Sequence, residues 1–382
     1  VNQIYADHAA TTPVHPEVLH IMTEMLTEHY GNASSIHAVG RRSRQVLDEA
    51  RSFVAKCTGA HFNEIIFTSG GTEANNLAIN GVADAMKHRG MHIITSKIEH
   101  HAVLHPCEAL VQKGFHVTFL DVDETGSVSA EDVKNALTDE TILVSIMYGN
   151  NEVGTIQPVE EIAQILTGHQ ALFHTDAVQA FGAEDINVKK LGVDLLSVSA
   201  HKINGPKGVG FLYVKKDTPL SPHILGGEQE RKRRAGTENV ASIAALAKAV
   251  ELAAEEREHK RKKLAEIKNA LINRLDEHGV KYSVNGSLEH TLPHVLNLSI
   301  FGADVEAMLV NLDLAGIAAS SGSACTAGSI EPSHVLTAMF GQGSERLRNS
   351  IRFSFGLGST IEQGIKIADE IALIAKRLIP AN

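Results

Sequence analysis

The chain of 382 residues has a formal net charge of -10, with 43% hydrophobic and 21% charged residues. That length predicts two or three domains with sizeable cores, and the acidic balance argues against a general nucleic-acid-binding surface, which needs a basic patch to release counterions. No run approaches the roughly 18 apolar residues of a membrane span, and the start V-N-Q-I-Y-A-D has neither the basic nor the apolar part of a signal peptide, so a cytoplasmic protein is expected.

Short, nearly all-apolar runs alternate with helical stretches through the first two-thirds of the chain, at 64–67, 92–95, 116–120, 142–147, 171–175, 194–199 and 209–214. Such strands are buried on both faces, which predicts an α/β domain with a mostly parallel sheet covered by helices. From Asn239 to His278 the pattern turns helical: apolar, then charged through E-E-R-E-H-K-R-K-K, then apolar again. A helix of that kind reads as a connector, with the domain boundary near residue 258. Strand candidates at 294–300, 316–320 and 351–355, with helices between and after, predict a smaller α+β domain.

Three cysteines, Cys57, Cys107 and Cys325, are widely spaced without a C-x-x-C pair, the pattern of free thiols in a reducing compartment. Cys57 in F-V-A-K-C and Cys107 in H-P-C-E-A-L-V have bulky apolar neighbours and read as structural. Cys325 stands in S-S-G-S-A-C-T-A-G-S, where every neighbour is small and neither strand nor helix periodicity is present, so a mobile loop is expected. His101 and His105 have the spacing of two metal ligands on a helix, but Ala102, Val103 and Leu104 between them lack the acid of an H-E-x-x-H site, and no metal is expected. The one compact basic run, Arg231 to Arg234, reads as a solvated loop.

Three stretches carry chemistry. T-S-G-G-T-E-A-N-N at 68–76 follows a strand and opens a helix, so its backbone N–H groups, helix dipole and Thr72 hydroxyl suit a phosphate, although any tight turn makes a similar junction. H-T-D-A-V-Q-A at 174–180 ends another strand with Asp176 and Gln179, where ligands bind in open α/β sheets and where a carboxylate equally caps a helix. Lys202, in S-V-S-A-H-K-I-N-G-P-K-G, follows one strand later and can reach the same crevice. An amine, a carboxylate and a phosphate cradle are the parts of a pyridoxal phosphate site.

These strings, with A-D-H-A-A-T-T-P, G-N-A-S-S-I-H, E-H-H-A-V, N-N-E-V-G, R-A-G-T-E-N and S-S-G-S-A-C-T-A-G, run in order along nearly the whole chain and resemble the cysteine desulfurases of the class V aminotransferase group. The resemblance implies the fold type I architecture of pyridoxal-phosphate-dependent transferases. It has a large α/β domain over 16–258 with a mostly parallel seven-stranded sheet, and a small α+β domain from 1–15 and 259–382 carrying a catalytic loop at about 320–333. It implies Lys202 as the lysine bonded to pyridoxal 5'-phosphate, Asp176 at the pyridine nitrogen and Gln179 at the phenolic oxygen. His100 stacks on the ring and assists proton transfer. Gly71, Thr72, Ser199 and His201 hold the phosphate, and Thr237 reaches it from the neighbouring subunit of a homodimer.

By the same resemblance Arg352 clamps the carboxylate of L-cysteine, Asn151 lies beside cofactor and substrate, and the Cys325 thiolate takes the sulfur as a persulfide while alanine leaves. That reaction passes through aldimine and ketimine forms of the cofactor. The segment from Ser320 through E-P-S-H-V-L is similar to the longer-loop desulfurases, whose sulfur goes to an acceptor protein, a cluster scaffold or a tRNA thiolase, for iron-sulfur cluster assembly or tRNA thiolation. No direct contact with nucleic acid or membrane is implied. A selenocysteine lyase or another class V aminotransferase-like enzyme would share Lys202, Asp176 and Arg352, whereas a plain transaminase has no use for Cys325. His8 departs from the aromatic or asparagine common at its position, and an effect at the substrate entrance is expected.

Overall fold

The computed structural model describes residues 3–321 and 332–378 and, in the intervening segment, the backbone at 325, 326, 329 and 330. Its strands in chain order are β1 (Ile4–Tyr5), β2 (Ile65–Thr68), β3 (His92–Ser96), β4 (His116–Leu120), β5 (Thr141–Ser145), β6 (Leu172–Asp176) and β7 (Leu195–Ser199). They continue with β8 (Gly210–Val214), β9 (Tyr282–Asn285), β10 (Val295–Ile300), β11 (Ile317–Ala318), β12 (Cys325–Thr326), β13 (Ser329–Ile330) and β14 (Ser350–Ser354). The seven apolar runs of the first two-thirds form one seven-stranded sheet in the order β2-β8-β7-β6-β5-β3-β4. Its pairs are parallel from β4 to β7, and β8 runs antiparallel to both β7 and β2.

Burial on both faces follows from the pleat, which turns successive side chains to opposite sides. Along β8, Phe211 and Tyr213 enter one core with Leu47, Val54 and Leu246, while Leu212 and Val214 enter the other with Ile79, Val103 and Leu110. Helices Ala38–Thr58 and Val240–Glu277 cover the first face, and Gly71–Met86 and His101–Gln112 the second. Edge strand β4 is the least buried of the seven.

A separate core lies around the antiparallel sheet β14-β10-β9, packed against helix Ile361–Leu378. The 38-residue helix Val240–Glu277 contributes Val240 to Val250 to the first core and Leu264 to Leu275 to this one. Strand β9 was not anticipated, because Y-S-V-N is short and only half-buried. The run at 316–320 supplies β11, which pairs in parallel with β1 rather than joining the three-stranded sheet.

In the basic run at 231–234, Arg231 and Lys232 are exposed, as expected of a solvated loop, while two of its guanidinium groups have partners. The Arg231 guanidinium lies 5.0 Å over the Phe62 ring, and Arg234 Nε lies 2.9 Å from Glu73 Oε1. Glu230 beside them makes a bidentate, buried pair with Arg51, at 2.6 and 2.7 Å. Among the described residues, no helix is long and apolar enough to cross a membrane.

Candidate active site

Parallel pairing brings the carboxyl ends of β6 and β7 side by side, with Asp176 opposite Ser197. Side chains leaving those ends meet those from the start of helix Gly71–Met86, from β14 and from the first residues of the chain around a cavity of about 480 Å³. This is the crevice at the strand ends where open α/β sheets hold ligands.

Lys202 ends a single 3-10 turn, Ala200–Lys202, directly after β7. Its Nζ donates to the carbonyl oxygens of Ala9 and Ala10, the latter at 2.9 Å. Burial pushes the amine pKa down to about 8, helped by Arg352 and opposed by Asp176 and Asp7. An amine so shifted has a sizeable unprotonated fraction near neutral pH, as a Schiff-base nucleophile needs.

Asp176, the last residue of β6, is buried. Its Oδ2 accepts from Asn75 Nδ2 at 2.6 Å and its Oδ1 from the Val178 N–H at 2.9 Å, which aims the carboxylate into the cavity wall. The Val178 bond is the cap-like contact anticipated for this carboxylate, so the structural and ligand readings coexist. Glu99, behind it, is wholly buried and its carboxyl is pushed up to about 8 by burial, against hydrogen bonds from Met147 N–H and Ser96 Oγ, with Asp176 adding to the rise.

The strand-to-helix junction after β2 needs its two glycines. Gly70 has φ 149°, and a Cβ on Gly71 would lie 2.7 Å from Val178 Cγ2. Helix Gly71–Met86 therefore starts at the cavity, with Gly71, Thr72, Ser199 and His201 all lining it. His201 Nδ1 lies 3.1 Å from Thr11 Oγ1; burial, then Lys202, Lys207 and His100, push its pKa down to about 4. A neutral imidazole with hydroxyls and N–H groups at a helix N-terminus is a donor set of the kind that suits an anion.

His100 caps helix His101–Gln112, its Nδ1 accepting from the Ala102 N–H at 3.0 Å, which leaves the proton of the neutral ring on Nε2. It is exposed at the mouth, yet the protein packed around it lowers its pKa, with Asp176 opposing and Lys202 adding. On the far side, Arg352 of β14 donates from Nη1 to Asn151 O at 3.0 Å and from Nη2 to Asp7 Oδ1 at 2.8 Å. The Asn151 turn is set by Asn150, whose Oδ1 accepts from the N–H groups of Glu152 and Val153. Gln179 Nε2 donates to Ala9 O at 2.9 Å.

Lys202, His100, Gly71, Thr72, Asn151, Asp176, Gln179, Ser199, His201 and Arg352 are thus gathered around one cavity. Thr237 is not: it is exposed on the loop before helix Val240–Glu277, away from the cavity lining of its own chain. The backbone of Cys325 pairs in β12 with β13, antiparallel, a short hairpin that the small-residue composition did not reveal. The Cys325 side chain lies outside the described residues, as do 322–324, 327, 328 and 331, and with them the expected loop mobility. His8 does not line the entrance; it is buried beside Gly356, where a Cβ would come within 2.3 Å of its ring. His101 and His105 stack with centroids 4.8 Å apart. Cys107 is buried with its thiol pushed up to about 12 by burial, and Cys57 is half-buried with its pKa also raised by burial, as structural thiols.

Asn75, Asp7 and Glu99 are site residues that the sequence reading missed. Asn75 carried a signal: it lies four residues after Gly71, on the same face of a helix that starts at the cavity.

Residues 4–365 match the family model of the class-V aminotransferases. A Bacillus subtilis (strain 168) protein bearing the provisional name cysteine desulfurase IscS 1 is 60% identical over 378 residues, 99% of this chain and 100% of its own. The cysteine desulfurase IscS of Dictyoglomus turgidum is 48% identical over 376 residues, 98% of this chain and 95% of its own. Among solved structures, a NifS-like protein superposes with a TM-score of 0.92 at 37% identity, covering 98% of this chain and 100% of its own.

Proposed function

The chain belongs to the class-V aminotransferase family, and from that premise we propose the reaction its cavity residues carry out. It is a cysteine desulfurase, in line with relatives 46–60% identical across nearly its whole length. The observation that carries the residue assignment is the convergence of a lowered-pKa amine, a buried carboxylate and a helix N-terminus on one cavity.

Those residues fit pyridoxal 5'-phosphate. Gly71, Thr72, Ser199 and His201 would hold the phosphate, Asp176 the ring nitrogen, Gln179 the phenolic oxygen, and Lys202 Nζ the aldehyde carbon, with His100 against the ring. When bound, the cofactor supplies an electron sink conjugated to the substrate α-carbon. Asp176, fixed by Asn75 and Val178, would hold the proton on the ring nitrogen that such a sink needs.

Arg352 binds the carboxylate of L-cysteine, and Asn151, tied to it through its carbonyl, sets the substrate's orientation. Lys202 Nζ, once free, takes the α-proton, with His100 Nε2 placed to move a proton at the mouth. The Cys325 thiolate then attacks the substrate sulfur. An S–S bond forms and the substrate Cβ–S bond breaks; its electron pair remains with Cβ, which is protonated and leaves as the methyl of alanine. Cysteine and one thiol thus become alanine and one persulfide, with no outside oxidant or reductant.

Thr237, exposed and outside the lining of its own cavity, suits a contact to the phosphate of a second subunit, so a homodimer with shared sites is part of the proposal. The persulfide passes to an acceptor protein, a cluster scaffold or a tRNA thiolase, in a cytoplasmic setting. The deciding assay incubates the purified yellow protein with L-cysteine and measures alanine and protein persulfide beside Cys325→Ser. Both products from the parent, and no persulfide from the variant, are expected. A cofactor-loaded parent that makes no alanine even with reductant present rejects the sulfur chemistry assigned to Cys325.

A further inference from the structure

Gln179, in the cavity lining, ties together two distant segments of the chain. Its Nε2 donates to Ala9 O at 2.9 Å, and its Oε1 lies 3.1 Å from Nε2 of His294, 115 residues further along the chain. A carbonyl oxygen only accepts, so Ala9 fixes which end of the Gln179 amide is nitrogen. The other end is then oxygen, and His294 must present an N–H from Nε2.

His294 precedes β10, between Leu292 and Val295 of the large core, whereas Gln179 follows β6. Burial, then Lys260, Lys268, Lys202 and His8, push its pKa down to about 3, so the ring is a neutral donor at working pH. The surrounding cations do not compete for Gln179. Lys260 Nζ lies 3.4 Å from Asn204 Oδ1, Lys268 Nζ donates to Leu292 O at 3.2 Å, and Arg257 and Arg261 pair with Asp185 and Glu184.

We infer that His294 is a positioning residue for the cofactor: its Nε2–H locks the Gln179 amide so that the second Nε2 hydrogen faces the cavity and serves the phenolic oxygen. This rests on the proposed function, in which Gln179 contacts that oxygen. An amide turned over would offer its own oxygen to a phenolate and repel it. A donor there favours the state in which the oxygen bears full negative charge, after the Lys202 nitrogen bonded to the cofactor has lost its proton. Losing the donor therefore raises the pH at which the visible absorbance of the cofactor changes.

The experiment titrates the visible absorbance of substrate-free holoenzyme with pH for four proteins. His294→Phe keeps a ring but removes the N–H, and its midpoint rises by roughly one pH unit. His294→Gln offers an amide N–H at similar reach and holds the parental midpoint. Gln179→Leu removes the amide and raises the midpoint at least as far as His294→Phe. A shift in Gln179→Leu with none in His294→Phe overturns the inference and leaves the cofactor reading standing; no shift in Gln179→Leu removes the phenolic contact itself, and the inference with it. A readout that needs no variant is the 15N NMR signature of His294 in the cofactor-free protein. The neutral Nε2–H tautomer at pH 6 is expected, and an Nδ1–H tautomer overturns the assignment.

Discussion

Arg352 Nη2 and Asp7 Oδ1, 345 residues apart in the chain, form a 2.8 Å ion pair at the cavity, so the arginine proposed to clamp the substrate carboxylate is already held by an internal one. A second bond runs from Nη1 to Asn151 O, and Nε is buried with no hydrogen-bond partner among the described residues. The guanidinium is thereby held in one plane but incompletely satisfied. A planar fork can receive a carboxylate through two parallel bonds and a lysine cannot. Arg352→Lys should therefore raise KM for L-cysteine by roughly 10- to 100-fold, since a hydrogen bond to a charged group contributes about 1.5–3 kcal/mol, with a smaller change in kcat. Asp7→Asn removes the competing charge and should lower KM. Steady-state alanine assays separate the two, and a KM unchanged in Arg352→Lys would move the substrate carboxylate elsewhere.

The amine of Lys202 gives a pH dependence with a definite sign. In the cofactor-free protein it releases its proton near pH 8, whereas an unperturbed lysine holds its own to 10.5. Between those values the unfolded chain binds more protons, so this group's contribution to stability rises with pH across that window. The free amine is also the nucleophile toward the cofactor aldehyde. The rate of cofactor uptake by the stripped protein, followed by visible absorbance, should climb through pH 8 and then level off. A rate still climbing steeply at pH 10 would show an ordinary lysine.

Asp176 is fixed at both oxygens, by Asn75 Nδ2 and by the Val178 N–H. Asp176→Asn keeps the shape but loses the charge that favours a protonated ring nitrogen. A kcat loss of roughly 100- to 1,000-fold is expected, the scale of removing one preorganised electrostatic contact, with the cofactor still bound by absorbance. Asn75→Ala should lower kcat less, because Val178 still holds one carboxylate oxygen. Equal losses in both variants would make Asn75 a ligand contact in its own right.

What the sequence disclosed and what it withheld divide along the range of the interactions. The seven sheet strands were legible because burial on both faces leaves an uninterrupted apolar run, and the sheet then fixes Asp176 and Lys202 at neighbouring strand ends. Two-residue β1 and β11 and half-buried β9 have no such run. The Asp7–Arg352 pair and the His294–Gln179 contact join distant segments through single polar side chains, and no local spacing announces them. His8 misled for a related reason: its position was read from a motif, while its burial is decided by the missing side chain of Gly356. The basic run at 231–234 gave no sign of the contacts of Arg231 and Arg234, because their partners Phe62 and Glu73 lie more than 160 residues earlier.

The loop that leads to Thr237 is anchored by the buried Arg51–Glu230 pair, with the Phe67 N–H also donating to Glu230 Oε2 at 3.1 Å. Glu230 sits at φ 43°, a left-handed conformation costly for a residue with a Cβ, so the pair holds a strained turn in place. Glu230→Ala strands a guanidinium that is only 4% exposed, and breaking a buried pair from one side costs about 3–5 kcal/mol. The melting temperature should fall clearly, and uptake of cofactor should weaken as the loop carrying Thr237 loosens. Arg51→Met combined with Glu230→Leu leaves neither charge buried and should recover most of the thermal stability. It should not recover cofactor uptake to the same degree, because the turn has lost the contact that holds its geometry. Thermal melts and cofactor titrations on the same two proteins test both halves; a double variant as unstable as the single one would mean that backbone strain, not the stranded charge, dominates the loss.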